Sequence, residues 1–328
     1  MQQPALMRAC RALASLKLTL AALFFFGAGI LIAYLGGEHT TLALVLPLLL
    51  LSLNLLAAVL TNPAFRRSGA LLSFHLALIA IVLLVAAGRL TYLKGHVELT
   101  EGEAFDGRLT EIEAGPWHPS GLERVHFTND GFSIEYAPGI QRGKTRNAVR
   151  YIDAGGKERR TEIGDQTPLV LAGYRFYTTS NKGFAPAFLW YPAKGRDPIL
   201  GTVHLPSYPA NEDWQARAWQ LPGTDIHLWT MLKFDEIILD PNAASEFRLP
   251  HRHEVIVRIG DQRHELQPGQ AIDLPGGGRL VYDGLRTWMG YTVFYDWTIH
   301  WLLAACVIAV GALGWHFWRK FAAQPWNT

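Results

Sequence analysis

Four runs of the chain carry no charged residue: Lys17 to Glu38, Glu38 to Arg66, Arg67 to Arg89, and Asp296 to Arg319. Each is long enough to cross a hydrocarbon core as a helix, which takes about 20 residues. Helix is the default because lipid offers no partner for open backbone groups. The pattern predicts spans near 17–36, 41–61, 69–89 and 298–318. Between the third and fourth spans the pattern changes to short alternating runs with turn residues between them. Strands are expected at 96–101, 124–129, 131–136, 147–154, 157–163 and 169–179, with a turn at Asp130-Gly131 and a hairpin at Gly155-Gly156. Further strands are expected at 187–191, 226–233, 254–259, 280–285 and 291–294. The fold class is therefore membrane α plus all-β: four transmembrane helices, with a large β-sandwich or open-barrel-like domain between helices three and four. The domain boundaries follow: 1–90 with three spans, 91–297 β-rich, and 298–328 with the fourth span and a short tail.

Charge adds an orientation. Arg8, Arg11, Lys17, Arg66, Arg67, Arg319 and Lys320 flank the spans on one side, with no acidic residue among them. That side is read as the cytoplasm, which puts both termini there and the β domain outside, in a bacterial-type inner membrane. Leu18–Leu35 is longer than a signal-peptide core and no A-x-A site closes it, so it is read as a span. Segment 89–296 holds 23 of the 30 basic and 27 of the 28 acidic residues, a balance that gives no sign of a nucleic-acid surface. Cys10 and Cys306 both lie outside the β domain, which therefore has no disulfide and no thiol redox motif.

Candidate chemistry centres on His75, the one histidine well inside a span. Eight residues separate it from Arg67, so it lies roughly 12 Å in from that end. An imidazole at that depth is costly to bury. Two readings stand: an axial ligand of haem iron, or a neutral side chain bonded to another helix. Asn54 is the other polar residue at depth and is read as an interhelical hydrogen bonder; Pro47 is expected to kink its helix. His300 is a weaker candidate haem ligand near the outer interface. His39, His96 and His316 are read as interfacial, beside an aromatic belt of Tyr34, Tyr295, Trp297 and Trp301. His251 and His253 would share a strand face, with His264 a possible third ligand, but closed metal sites need four. No metal beyond haem iron is expected. His126, His204 and His227 are read as structural, and Glu98, Glu101 and Glu103 as a solvated edge. The chain has no G-x-S-x-G, P-loop, G-x-G-x-x-G or H-E-x-x-H motif, so no catalytic residue is assigned.

Several stretches resemble the ResB-like (CcsB) family of system II cytochrome c biogenesis. They are Leu13-Ala14-Ser15-Leu16-Lys17-Leu18-Thr19, then Phe74-His75-Leu76 followed by Gly88 and Lys94-Gly95-His96-Val97-Glu98-Leu99-Thr100-Glu101-Gly102-Glu103. Thr167-Pro168-Leu169 through Gly173-Tyr174-Arg175-Phe176-Tyr177, and Gly284-Leu285 through Tyr295-Asp296, also match the family's pattern. The resemblance implies a haem-handling subunit for cytochrome c maturation. It would help to export haem and present it, with apocytochrome c, for covalent attachment. It further implies a CcsA-like membrane partner and a b-type haem shared with that partner, His75 supplying one axial ligand. The chain alone would not be an enzyme but part of a cytochrome c synthase complex. The alternative is a scaffold or accessory subunit of another membrane assembly that docks through its β domain.

Overall fold

The computed structural model describes residues 5–36, 40–193 and 197–322. His39 and Glu38 lie outside the described residues. The chain divides into two compact units. The first comprises Met1–Leu93, Glu113–Pro119 and Tyr295–Thr328, and the second Lys94–Ile112 and Ser120–Phe294.

The helices of the first unit are α1 (Ala5–Leu13), α2 (Leu16–Tyr34), α3 (Thr40–Thr61), α4 (Pro63–Arg67), α5 (Gly69–Thr91) and α6 (Ile299–Ala322). Four of them, α2, α3, α5 and α6, are long and apolar enough to cross a membrane. Their ends lie within two residues of the expected spans, except that α6 runs on to Ala322. The termini follow local chemistry. Ser15 opens α2 and accepts from Lys17 N, and Ser68 Oγ opens α5 and accepts from Leu71 N at 3.3 Å. Asn62 Oδ1 opens α4 with Pro63 as its first residue. Pro47 sits inside α3 without ending it.

Packing among these helices uses small residues and one amide. A Cβ on Gly29 would lie 2.3 Å from the backbone oxygen of Ala43, so α2 and α3 cross at near backbone contact. Gly88 of α5 faces Thr298, the fully buried residue just before α6. Asn54 of α3 fills the break between α1 and α2. Its Nδ2 donates to Leu13 O at 2.6 Å and Ser15 O at 3.1 Å, and its Oδ1 accepts from Thr19 Oγ1 at 2.7 Å. Outward positions such as Phe24 and Val310 stay exposed, as a lipid-facing surface requires.

The second unit is built from strands β1 (Leu93–Thr100), β2 (Glu111–Ala114), β3 (Phe127–Ala137), β4 (Gln141–Ile152), β5 (Glu158–Ile163), β6 (Leu169–Leu171), β7 (Tyr174–Tyr191) and β8 (Ile199–Thr202). They are followed by β9 (Ala216–Gln220), β10 (His227–Lys233), β11 (Ser245–Glu246), β12 (Glu254–Ile259), β13 (Gln262–Leu266), β14 (Ala271–Asp273) and β15 (Arg279–Tyr295). A seven-stranded sheet runs β2-β1-β15-β7-β6, with β8 on β7 and β14 on β15. Two four-stranded sheets run β13-β12-β10-β9 and β11-β3-β4-β5. One core joins all three sheets: Ile134, Phe184, Leu228, Val255 and Tyr282 all belong to it and are at most 2% exposed. The sheets do not close into a barrel.

Three local expectations are corrected. Asp130-Gly131 is not a turn between two strands. It is an irregularity inside β3, where the register to β4 shifts between Asn129 and Phe132. The cause is a buried amide pair. Asn129 Oδ1 accepts from Gly131 N and from Asn147 Nδ2, while Tyr291 Oη donates to Asn147 Oδ1. Residues 169–179 are not one strand: Ala172 and Gly173 both take positive φ and fold β6 back onto β7. Conversely, 280–285 and 291–294 merge into the single long strand β15.

Candidate functional site

His75 lies in the second turn of α5, and its surroundings come from two adjoining helices. α4 is short and capped, and it brings Phe65, only 7% exposed, against the imidazole. The Phe65 and His75 ring centroids are 4.5 Å apart in an edge-on arrangement, and Phe74 contributes a second edge-on contact at 5.2 Å. The third constraint is polar. His75 Nδ1 is 2.9 Å from the carbonyl oxygen of Leu71, one turn earlier. A carbonyl only accepts, so Nδ1 carries the hydrogen and the neutral ring keeps its lone pair on Nε2. Nε2 has no hydrogen-bond partner among the described residues, and the side chain is half-buried. A backbone carbonyl holding one ring nitrogen while the other keeps a free lone pair is the usual arrangement of a metal-ligating histidine. The interhelical hydrogen bond considered as the alternative is not made: the ring's polar contact stays within α5.

His300 stands elsewhere in the same bundle. It is the second residue of α6, whose start faces Gly88 at the far end of α5. His75 is thirteen residues back from Gly88, a distance of roughly 20 Å along the helix. The two imidazoles therefore cannot ligate one iron together. The sequence reading assigned no role to His118, which belongs to that far end. Its Nδ1 is 2.9 Å from Thr91 O and its ring packs edge-on against Tyr295. Trp297 Nε1 donates to Thr91 Oγ1 at 2.9 Å, so Thr91 is held from both sides.

In the second unit, Glu98 is not part of a solvated edge. Its carboxylate takes His204 Nδ1 at 3.0 Å, and His204 Nε2 meets Thr100 Oγ1 at 2.9 Å. The hydrogen bond from His204 holds the Glu98 carboxyl below the usual carboxylate range. With both nitrogens engaged and its ring stacked 5.0 Å from Trp288, His204 has no lone pair for a metal. Glu101 and Glu103 bind Thr287 Oγ1 and Thr100 N respectively, both at 2.8 Å. The pairings join residues up to 186 positions apart, which alternation along one strand does not reveal. The three later histidines do not converge. His251 is held by Glu236, whose carboxyl its hydrogen bond helps to pull down to about 2. His253 Nε2 meets Tyr282 Oη at 2.8 Å, and His264 stands opposite Val257.

No curated protein matches the chain. Among solved structures, the cytochrome c heme lyase CcmF aligns over 91% of this chain and 34% of its own, with 15% identity and a TM-score of 0.28. The chain thus spans about a third of that protein's length. The model of the ResB-like family matches residues 63–224, from the start of α4 through α5 and well into the β unit. That stretch, 162 of the 328 residues, contains His75 with both of its aromatic neighbours, and over it the chain is similar to the ResB-like family.

Proposed function

We propose that this chain takes part in cytochrome c biogenesis as a membrane subunit that handles haem, with His75 Nε2 as an axial ligand to the iron. One observation carries the reading: the bond from His75 Nδ1 to the Leu71 carbonyl leaves a lone pair on Nε2, at the depth of a membrane helix. The residues present fit such a group. A neutral imidazole in a fixed tautomer suits haem iron, and the edges of Phe65 and Phe74 prevent the ring from swinging. Haem supplies the porphyrin-bound iron that becomes the prosthetic group of c-type cytochromes. This chain's own residues orient the ligand nitrogen, through the bond from Nδ1 to the Leu71 carbonyl and the contact with Phe65.

His75 would supply one ligand to the iron, and a second would have to come from another residue. His300 lies too far along the bundle to act with His75, which favours a partner protein as the source of a second ligand. A CcsA-like membrane protein suits that role, and the haem would then be b-type and shared between the two chains. Seven basic residues flank the spans on one side, which favours cytoplasmic termini and an extracytoplasmic β unit in the inner membrane. In that orientation the β unit is placed to receive apocytochrome c.

The test is the content of covalently bound haem in c-type cytochromes of a cell lacking this protein. Loss of that signal, with no return when His75→Ala is supplied, supports the reading. Normal cytochrome c in the deletion strain overturns it in favour of an accessory subunit of another assembly.

A further inference from the structure

The β unit contains a cleft of about 360 Å³ that none of the foregoing uses. Strand β8 and strand β9, from different sheets, line it together. Each is an edge. β8 pairs only with β7, and β9 only with β10. Val203 N donates to Pro186 O at 3.0 Å, which fixes the alternation on this strand. The backbone groups of Ile199 and Gly201 therefore turn toward β7, and those of Leu200 and Thr202 turn away from it. His204 continues the outward row, and its carbonyl takes Arg217 Nη1 from β9 at 2.9 Å. Thr202 of that outward edge lines the cleft, and the N–H and C=O groups of Leu200 and Thr202 have no partner among the described residues.

The side-chain wall beside that edge is aromatic. Trp219 stacks on Phe188 with ring centroids 5.7 Å apart, and Trp190 continues the surface. Gly201 stands opposite Phe188 in the register, and a Cβ built on it meets nothing within 4 Å. The wall therefore has a hole of side-chain size next to unpaired backbone. Two charges line the cleft. Glu98 is engaged by His204, and Arg217, which gives Nη1 to the His204 carbonyl, keeps its other guanidinium N–H groups for a ligand.

We propose that this cleft binds an extended peptide segment of a partner protein, added as a strand along the free edge of β8. A large apolar or aromatic side chain of the segment sits over Gly201, and a neighbouring carboxylate meets Arg217. Main-chain bonds to Leu200 and Thr202 give affinity, and the aromatic hole gives selectivity, as strand addition does generally. Globular chains rarely leave such an edge open beside an apolar wall unless something covers it. The inference stands independently of haem, since it uses only residues of the β unit.

The experiment uses the purified full-length protein in detergent and a fluorescein-labelled heptapeptide, Thr-Thr-Asp-Phe-Thr-Val-Thr, read by fluorescence anisotropy. Binding in the micromolar range is expected. Gly201→Leu places a side chain in the hole, where a Cβ meets nothing within 4 Å, and its fold is checked by circular dichroism; it should weaken binding at least tenfold. A twin peptide N-methylated at alternate amides should lose binding to the wild type by a similar factor, which needs no variant. No binding by the wild type overturns the proposal. So does equal binding of the N-methylated peptide, which would mark a site for side chains alone, or undiminished binding by a folded Gly201→Leu protein.

Discussion

The imidazole of His75 is tied to the carbonyl of Leu71 at 2.9 Å, within a single turn of α5. The bond spends the nitrogen that faces back along the helix and leaves the other in the form that binds metal. A buried histidine serving as glue between helices would place its bond across to a neighbour. Here the neighbours at the ring are the hydrocarbon edges of Phe65 and Phe74.

Asn54 does act as glue. It supplies two donors to the carbonyls of Leu13 and Ser15 and takes the hydroxyl of Thr19. Replacing it by Leu leaves the break between α1 and α2 without partners in an apolar setting. Asn54→Leu should destabilise the protein by about 1–2 kcal/mol, read as a lower thermal midpoint in detergent. An unchanged midpoint would mean that these bonds are replaced by others.

Gly29 allows the close crossing of α2 and α3. The atom that a side chain would strike is the backbone oxygen of Ala43, which cannot rotate away. Gly29→Leu should therefore separate the helices at a cost of about 2 kcal/mol or more. A Cβ on Gly27 of the same helix meets nothing within 4 Å, so Gly27→Leu should be tolerated. Thermal unfolding of the two variants side by side checks the contrast.

Lys182 is only 2% exposed, and its ammonium has one long bond, to Ser180 O at 3.4 Å. Burial pulls its pKa down to about 8, and the nearby Arg142 adds to the effect. The unfolded chain titrates this lysine near about 10.4. Between those two values the unfolded state holds more protons, so stability rises with pH. Lys182→Met should abolish that rise. At pH 7 it should stabilise the protein by about 1–3 kcal/mol, because a poorly paired buried charge is replaced by an apolar side chain of similar length. Unfolding curves across pH 7–10 test both effects.

The membrane helices were legible because charge-free runs of this length have one physical solution in lipid. The hairpin between β4 and β5 was legible for a similar reason. Gly156 takes positive φ and Asp153 Oδ1 accepts from Gly155 N and Lys157 N. The turn at Ala172-Gly173 was missed because alanine rarely takes positive φ and gave no turn signal. The irregularity at Gly131 depends on Asn147, sixteen positions further on in another strand. His75 stands out in the sequence by its depth and its family-like helix. Its contact with Phe65 needed the bend between α4 and α5. The pairing of Glu98 with His204 spans 106 positions, and no periodicity encodes it.

The most direct test of the haem reading is chemical rescue at His75. The protein is purified with its membrane partner as wild type and as His75→Gly, and the reduced absorption spectrum is recorded with and without added imidazole. The account predicts a b-type signal in the wild type, its loss by at least tenfold in His75→Gly, and its return when imidazole occupies the space left by the side chain. A variant that holds haem as well as the wild type without imidazole would contradict His75 as the ligand, and with it the central claim.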